Sequence, residues 1–348
     1  MSSGYFFSRS SVIRAVLTFA ALVAVMALSP EVLAEGKLRE RIRERINERQ
    51  RSQGSASKDV RQSGSLQEVT LEHDGRKRTY LVYVPESFKA SAPAPLVLAF
   101  HGGGGGQHIM SKDEYYGWIS KSEKEGFIVA FPNGTSAFRK GILSTWNAGS
   151  CCGYARDKKV DDVGFVRSLL GDIKGRFNID EKRIFATGMS NGGMFSYTLA
   201  CTMADVFKAI ASVTGTDGNA VCQPRKAISI LHIHSKDDTH VLFNGGAGKD
   251  AFKDPSKVTE FVSVPATINM WVKRNSCQPE AQRILDVPGA YCEMYGSCEG
   301  QTQVQLCVTE TGGHSWPGAK ATPLKKEIPP SQALNATDVI WDFFRSQN

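Results

Sequence analysis

With 348 residues, 41% of them hydrophobic and 22% charged, the chain has the make-up of a folded globule rather than of a disordered or fibrous protein. Its formal charge of +7 is concentrated in residues 35–62, which carry nine basic and five acidic side chains. The rest offers no basic excess that would point to nucleic acid.

The chain opens with Arg9 and Arg14, an apolar run over residues 15–28, and then SPEVLAEG, with small residues placed just before Glu35. Those three parts predict a secretory signal over residues 1–34, cleaved after Ala34. The basic stretch 35–62 reads as an arm: Leu38, Ile42 and Ile46 recur every four residues among Arg and Glu, and a Ser/Gly-rich linker follows. It is expected to be a solvated tether, with weak electrostatic attachment to an anionic envelope as the functional alternative. Export agrees with the eight cysteines, none of them in a C-x-x-C pair, since disulfides persist in oxidising compartments. Four fall between 277 and 307 and predict a C-terminal disulfide cluster, whereas adjacent Cys151 and Cys152 are expected to bond to different partners.

Beyond residue 79, β-type runs alternate with helical stretches. In order they are TYLVYVP, PLVLAFHGGGG, GFIVAFPNG, the helical DVGFVRSLLGDIKGRF, KRIFATGMS, the helical NGGMFSYTLACTMA, FKAIASVTG, AISILHIHS, the helical VPATINMWVKRN, TQVQLCVTE and the helical DVIWDFFRS. Apolar strands alternating with helices predict one α/β domain over residues 63–348, a mostly parallel sheet with helices on both faces. Asp161 and Asp162 stand where a helix N-cap belongs. Asn133 and Asn335 each open a glycosylation acceptor triplet.

Residues 188–192, Gly-Met-Ser-Asn-Gly, have the G-x-S-x-G form between a strand and a helix. In that setting the serine, Ser190, sits on a sharp turn that lifts its hydroxyl above the sheet, and flanking glycines are needed where strand and helix cross. A serine hydroxyl is a poor nucleophile without a base, and the base needs an orienting acid, in the chain order serine, acid, histidine. The loop after LHIHS supplies Asp237 and Asp238, and GGHSWPG supplies His314. Both loops follow strands, where open α/β sheets build their sites. An oxyanion hole needs two backbone N–H groups; Asn191 is expected to give one, and the glycine run after Phe100, through Gly103 or Gly104, the other. A metal cluster around His232, His234 and His240 is set aside in favour of core histidines, so neither metal nor cofactor is expected.

Taken together, FHGGGG, WNAGSCCG, DDVGF, GMSNGGM, LHIHSKDD and GGHSWPG make the chain, from about residue 80 onward, resemble the α/β-hydrolase esterases of the polyhydroxybutyrate depolymerase and feruloyl esterase type. The resemblance implies a secreted serine esterase with Ser190 as nucleophile, His314 as base and Asp238 as acid. It prefers Asp238 to Asp237 because the family's loop reads Gly-Thr-x-Asp; here Ser235 and Lys236 stand in for Gly and Thr. Trp146 and Trp316 are the expected pocket aromatics, and the expected substrate is an ester, of hydroxyalkanoate oligomers or of feruloyl or acetyl groups on polysaccharide. A serine peptidase on the same fold, and a non-catalytic envelope- or polymer-binding protein working through the arm, are the alternatives.

Overall fold

A computed structural model describes residues 64–138, 143–251, 260–321 and 328–347; the expected signal and basic arm lie outside the described residues. Ten strands form one sheet: β1 (Ser65–His73), β2 (Arg76–Val84), β3 (Ala94–Phe100), β4 (Ile128–Pro132), β5 (Ile179–Met189), β6 (Ala209–Val213), β7 (Ser229–Ser235), β8 (Gln282–Val287), β9 (Ala290–Tyr295) and β10 (Val304–Thr309). Their spatial order is β1-β2-β4-β3-β5-β6-β7-β10-β9-β8. The central run from β4 to β10 is parallel throughout, and two antiparallel strands extend each edge.

The parallel strands are apolar along their length because both faces are covered. In β3 every residue is buried, and alternation sends Leu96, Leu98 and Phe100 to one core cluster and Val97 and Ala99 to the other. The first cluster is closed by helices α2 (Asp162–Arg176), α3 (Asn191–Thr202) and α4 (Val264–Arg274), the second by α1 (Trp118–Glu125) and α5 (Ala336–Arg345). At roughly 1.5–3 kcal/mol for each large apolar side chain fully buried, this two-sided core is the main source of the domain's stability.

Three of these helices start on a side-chain cap, which satisfies an N–H that the first turn leaves open. Asp161 accepts from Gly164 N at 2.9 Å, Ser263 from Ala266 N at 3.2 Å, and Asn335 from Asp338 N at 3.1 Å. The Asn335 of one glycosylation triplet is therefore a helix cap. Asp162, read with Asp161 as a cap, has a different place: it is buried and pairs with Arg78 at 2.7 Å.

The edge strands β1, β8 and β9 are absent from the sequence reading. Apolar runs fail to mark β8 because most of its residues are exposed, in the pattern eeeiei from Gln282 to Val287. A cross-strand disulfide, Cys292–Cys307, holds β9 to β10, and Cys277 bonds to Cys298, so the four C-terminal cysteines pair among themselves as expected. Cys201 bonds to Cys222. The expectation for the adjacent pair is corrected: Cys151 and Cys152 bond to each other, across a cis peptide.

Candidate active site

Strand β5 ends at Met189 and α3 begins at Asn191, so the whole reversal of direction falls on Ser190, at φ 54° and ψ −122°. A non-glycine residue rarely adopts that backbone, and it persists only where its surroundings hold it. Here Ser190 N donates to Val213 O at 2.8 Å, and Ser190 O accepts from Met194 N at 2.9 Å. The glycines on either side are required by space: a Cβ on Gly192 would run into the carbonyl oxygens of Phe100 and His101, and one on Gly188 into the backbone of Gly192. Ser190 itself is only partly buried.

The loops after β7 and β10 bring the acid and the histidine together. His314 Nδ1 donates to Asp238 Oδ2 at 2.8 Å, which leaves Nε2 as the basic nitrogen of the ring. Asp238 Oδ1 accepts from the backbone N–H of His240 at 2.8 Å and of Val241 at 3.0 Å. Burial pushes the Asp238 carboxyl up, but His314 and the donors around it outweigh that and hold it well below the usual carboxylate range. Asp237 turns the other way and accepts from Gly313 N at 2.8 Å and Gly312 N at 3.3 Å. Of the two candidate acids, only Asp238 faces the imidazole.

The glycine loop after β3 lies directly against the Ser190 turn. A Cβ on Gly102 would sit 3.4 Å from Ser190 Cβ, and one on Gly103 would sit 3.6 Å from Asn191 Cβ. Gly104 must be withdrawn as an oxyanion donor, because its N–H already donates to Ser144 O at 2.8 Å. Gly103 and Asn191 remain, the latter in the first turn of a helix, where N–H groups have no intrahelical partner.

His101, just before the glycines, was missed by the sequence reading. Its Nδ1 donates to Gly102 O at 2.8 Å while Nε2 accepts from Gly134 N at 3.0 Å, which fixes one tautomer and ties two loops together. Burial pushes its pKa down to about 4, so the ring is neutral at neutral pH. The only sequence signal was its place between a buried strand and a glycine run.

Neither expected pocket aromatic stands open to solvent. Trp146 is 0% exposed, stacked on Phe195 with centroids 5.1 Å apart, and its Nε1 donates to His101 O at 3.0 Å. Trp316 is 3% exposed and donates to Thr337 Oγ1 at 3.0 Å. Both are scaffold in this structure. Trp316 does link the two halves of the site: Tyr116 packs on it at 5.3 Å and reaches Met189, the neighbour of Ser190, with its hydroxyl 3.6 Å from Sδ. The large exposed apolar side chains near the glycine loop are Ile109 and Leu143, each in reach of a glycine Cβ position, at Gly105 and Gly104.

A family model described as putative esterase matches residues 72–318. Feruloyl esterase B of Piromyces equi is 32% identical over 248 residues, 68% of this chain and 42% of that protein. A bifunctional acetylxylan esterase/xylanase of Neocallimastix patriciarum is 25% identical over 251 residues, 69% of this chain and 31% of that protein. The chain thus spans less than half the length of these two relatives. It spans more of a probable feruloyl esterase C of Aspergillus niger, which is 28% identical over 278 residues, 78% of this chain and 85% of that protein. Among solved structures, an acetyl xylan esterase from Aspergillus awamori superposes with a TM-score of 0.53 at 15% identity, over 81% of this chain and 99% of that one, a likeness of fold.

Proposed function

This chain belongs to the putative esterase family, an α/β-hydrolase by fold, and from that premise we propose that it hydrolyses carboxylic esters with Ser190 as nucleophile, His314 as base and Asp238 as orienting acid. The observation that carries the proposal is the meeting of His314 and Asp238 at 2.8 Å beside a sheet whose β5–α3 turn holds Ser190 at φ 54°.

In the first half-reaction His314 Nε2 takes the Ser190 proton as Oγ attacks the ester carbonyl. The oxyanion is held by the N–H groups of Gly103 and Asn191, and the alcohol leaves with the proton from His314. Water then attacks the acyl-enzyme with the same base, releasing the acid. Asp238, held ionised by His314 and two backbone N–H groups, keeps the Nδ1–H tautomer of His314 in place through both halves. The acyl group is proposed to be feruloyl or acetyl on a polysaccharide. Two things support that: the names of the relatives, and the exposed Leu143 and Ile109 beside the glycine loop, an apolar lip for an acyl chain or ring.

Residues 1–34 are proposed as an export signal, residues 35–62 as a basic tether and residues 63–348 as the catalytic domain; four disulfides suit an oxidising compartment. The test is hydrolysis by residues 35–348 of methyl ferulate, p-nitrophenyl acetate, a 3-hydroxybutyrate oligomer and a peptide amide. Turnover of an ester with none of the amide supports the reading. Turnover of the amide alone replaces it with a peptidase.

A further inference from the structure

Beneath the site runs a buried line of polar side chains that the proposed reaction leaves unexplained. His232 and His234 occupy the same face of β7, both 0% exposed, their rings stacked with centroids 5.2 Å apart. His234 Nε2 lies 2.8 Å from Val241 O and 3.2 Å from Asp238 Oδ2, the oxygen that also receives His314. His234 Nδ1 is 3.0 Å from His232 Nε2, and His232 Nδ1 is 2.9 Å from the hydroxyl of Tyr197. Tyr197 sits on α3, the helix that begins at the Ser190 turn. The line therefore closes a ring through the fold: Ser190, α3, Tyr197, His232, His234, Asp238, His314.

Where the protons lie follows from the acceptors. A carbonyl oxygen only accepts, so the nitrogen facing Val241 O carries a hydrogen, and the same nitrogen lies 3.2 Å from Asp238 Oδ2. Burial, with His234 beside it, pushes His232 well below the usual histidine range, so His232 is neutral and has one N–H. That N–H is at Nε2, donating to the lone pair of His234 Nδ1, because His232 Nδ1 accepts from Tyr197. Burial pushes the Tyr197 hydroxyl well above its ordinary pKa, so it keeps its proton and donates. Every polar atom in the line is matched without a buried cation.

On the reading that Ser190, His314 and Asp238 form the reacting set, we infer that His234 is a positioning residue for Asp238, and that Tyr197 and His232 hold it in the one tautomer able to donate to that carboxylate. It supplies the fourth donor, after the two backbone N–H groups and His314, and it stands on a strand rather than a loop. It sets two things. The carboxylate is kept at the angle that receives His314 Nδ1. Its charge is also partly neutralised, so that it does not hold the His314 proton too tightly. The titratable groups facing this line are Asp238 and His314 at one end and, at the other, Tyr197 with Asp217 and Arg274 beyond it; His240 stacks on His314 at 4.5 Å.

The test compares His234→Leu, which removes the donor, with His234→Gln, whose amide can donate from the Nε2 position, measuring kcat, KM and the pH profile of kcat/KM on an ester. His234→Leu is expected to lose about 10- to 100-fold in kcat, the range of a hydrogen bond to a charged group, with KM little changed. With one donor fewer, Asp238 holds the His314 proton more firmly, so the acid limb should move to higher pH. His234→Gln should recover most of kcat. A folded leucine variant with wild-type kcat and acid limb, or a glutamine variant as slow as leucine, overturns the inference. Ser190→Ala is run alongside. If it is inactive while His234→Leu behaves as wild type, only the inference falls; if it is fully active, the reacting set falls as well. Imidazole nitrogen resonances of the wild type give a readout independent of variant folding. At neutral pH His232 should be neutral, and both His232 and His234 should carry an N–H at Nε2. An imidazolium at His232, or a hydrogen on Nδ1 of either ring, overturns the inference.

Discussion

Asn191 and Trp146 grip each other in both directions: Trp146 N donates to Asn191 Oδ1 at 2.7 Å and Asn191 Nδ2 donates to Trp146 O at 3.0 Å. Asn191 is the residue after Ser190, so this pair bolts the loop carrying Cys151 and Cys152 to the start of the helix that the serine caps. Cys151 Sγ lies 3.9 Å from the same amide. The backbone N–H proposed for the oxyanion thus belongs to a residue whose side chain cannot swing away. Replacing Asn191 with Ala leaves the buried N–H of Trp146 unpaired, while Trp146 O keeps the bond it accepts from Cys152 N at 3.2 Å. The substitution should cost about 1–3 kcal/mol of stability, the penalty for one such buried group, read as a lower urea midpoint with an unchanged slope.

Adjacent acids should separate cleanly by mutation. Asp238→Asn removes the charge that orients His314 and should lower kcat about 10⁴-fold, as loss of the orienting acid does in triads of this kind. Asp237→Asn only weakens the hold on Gly312 and Gly313 and should cost on the order of tenfold, the effect of one charged hydrogen bond. Steady-state rates on one ester settle which acid does which work.

A second pair sits under the glycine loop's neighbourhood. Arg78 and Asp162 are both buried and 2.7 Å apart, with Asp162 also accepting from Asn147 N at 2.8 Å. Burial pushes Asp162 up and Arg78 down, and their mutual attraction offsets only part of each shift. Arg78→Met strands the carboxylate and should destabilise by about 3–5 kcal/mol. The double variant Arg78→Met/Asp162→Leu should recover part of that loss, measured by chemical denaturation.

Acid should weaken the fold in a defined window. His101 is neutral in the folded protein down to about pH 4, whereas in the unfolded chain it titrates near the ordinary 6.5. Between those values the unfolded state binds the extra proton, so stability rises with pH and falls as pH drops from 6.5 toward 4. A shift of that size corresponds to roughly 3 kcal/mol. His232, lowered in the same direction by burial, adds to the slope. Melting temperature measured across this range should decline, and His101→Gln should flatten the decline.

The sequence disclosed the parallel core because β3 to β7 and β10 are apolar on both faces; turn chemistry and chain order singled out Ser190 and His314 as candidates and left Asp237 and Asp238 both open, and only the family resemblance preferred Asp238, the one that meets His314. What it hid were contacts set by folding. β8 is too exposed to leave an apolar run. The Gly104 N–H is taken by Ser144, forty residues along the chain, which no local pattern announces. Trp146 looked like a pocket wall, but its indole satisfies His101 O in the core. His232 and His234 alternate as core residues do, and they are core; that they form a directed line to Asp238 depends on Val241 and Tyr197, which lie on other segments.

The most direct measurement is kcat/KM of the wild type and of Ser190→Ala on the best ester of the panel, with both proteins matched in melting temperature. A loss on the order of 10⁴-fold or more is expected, since removing a member of such a set leaves only the contribution of binding and the oxyanion donors. A folded alanine variant that turns over the ester as fast as the wild type would contradict it, and would leave Ser190 as no more than a strained residue in a turn.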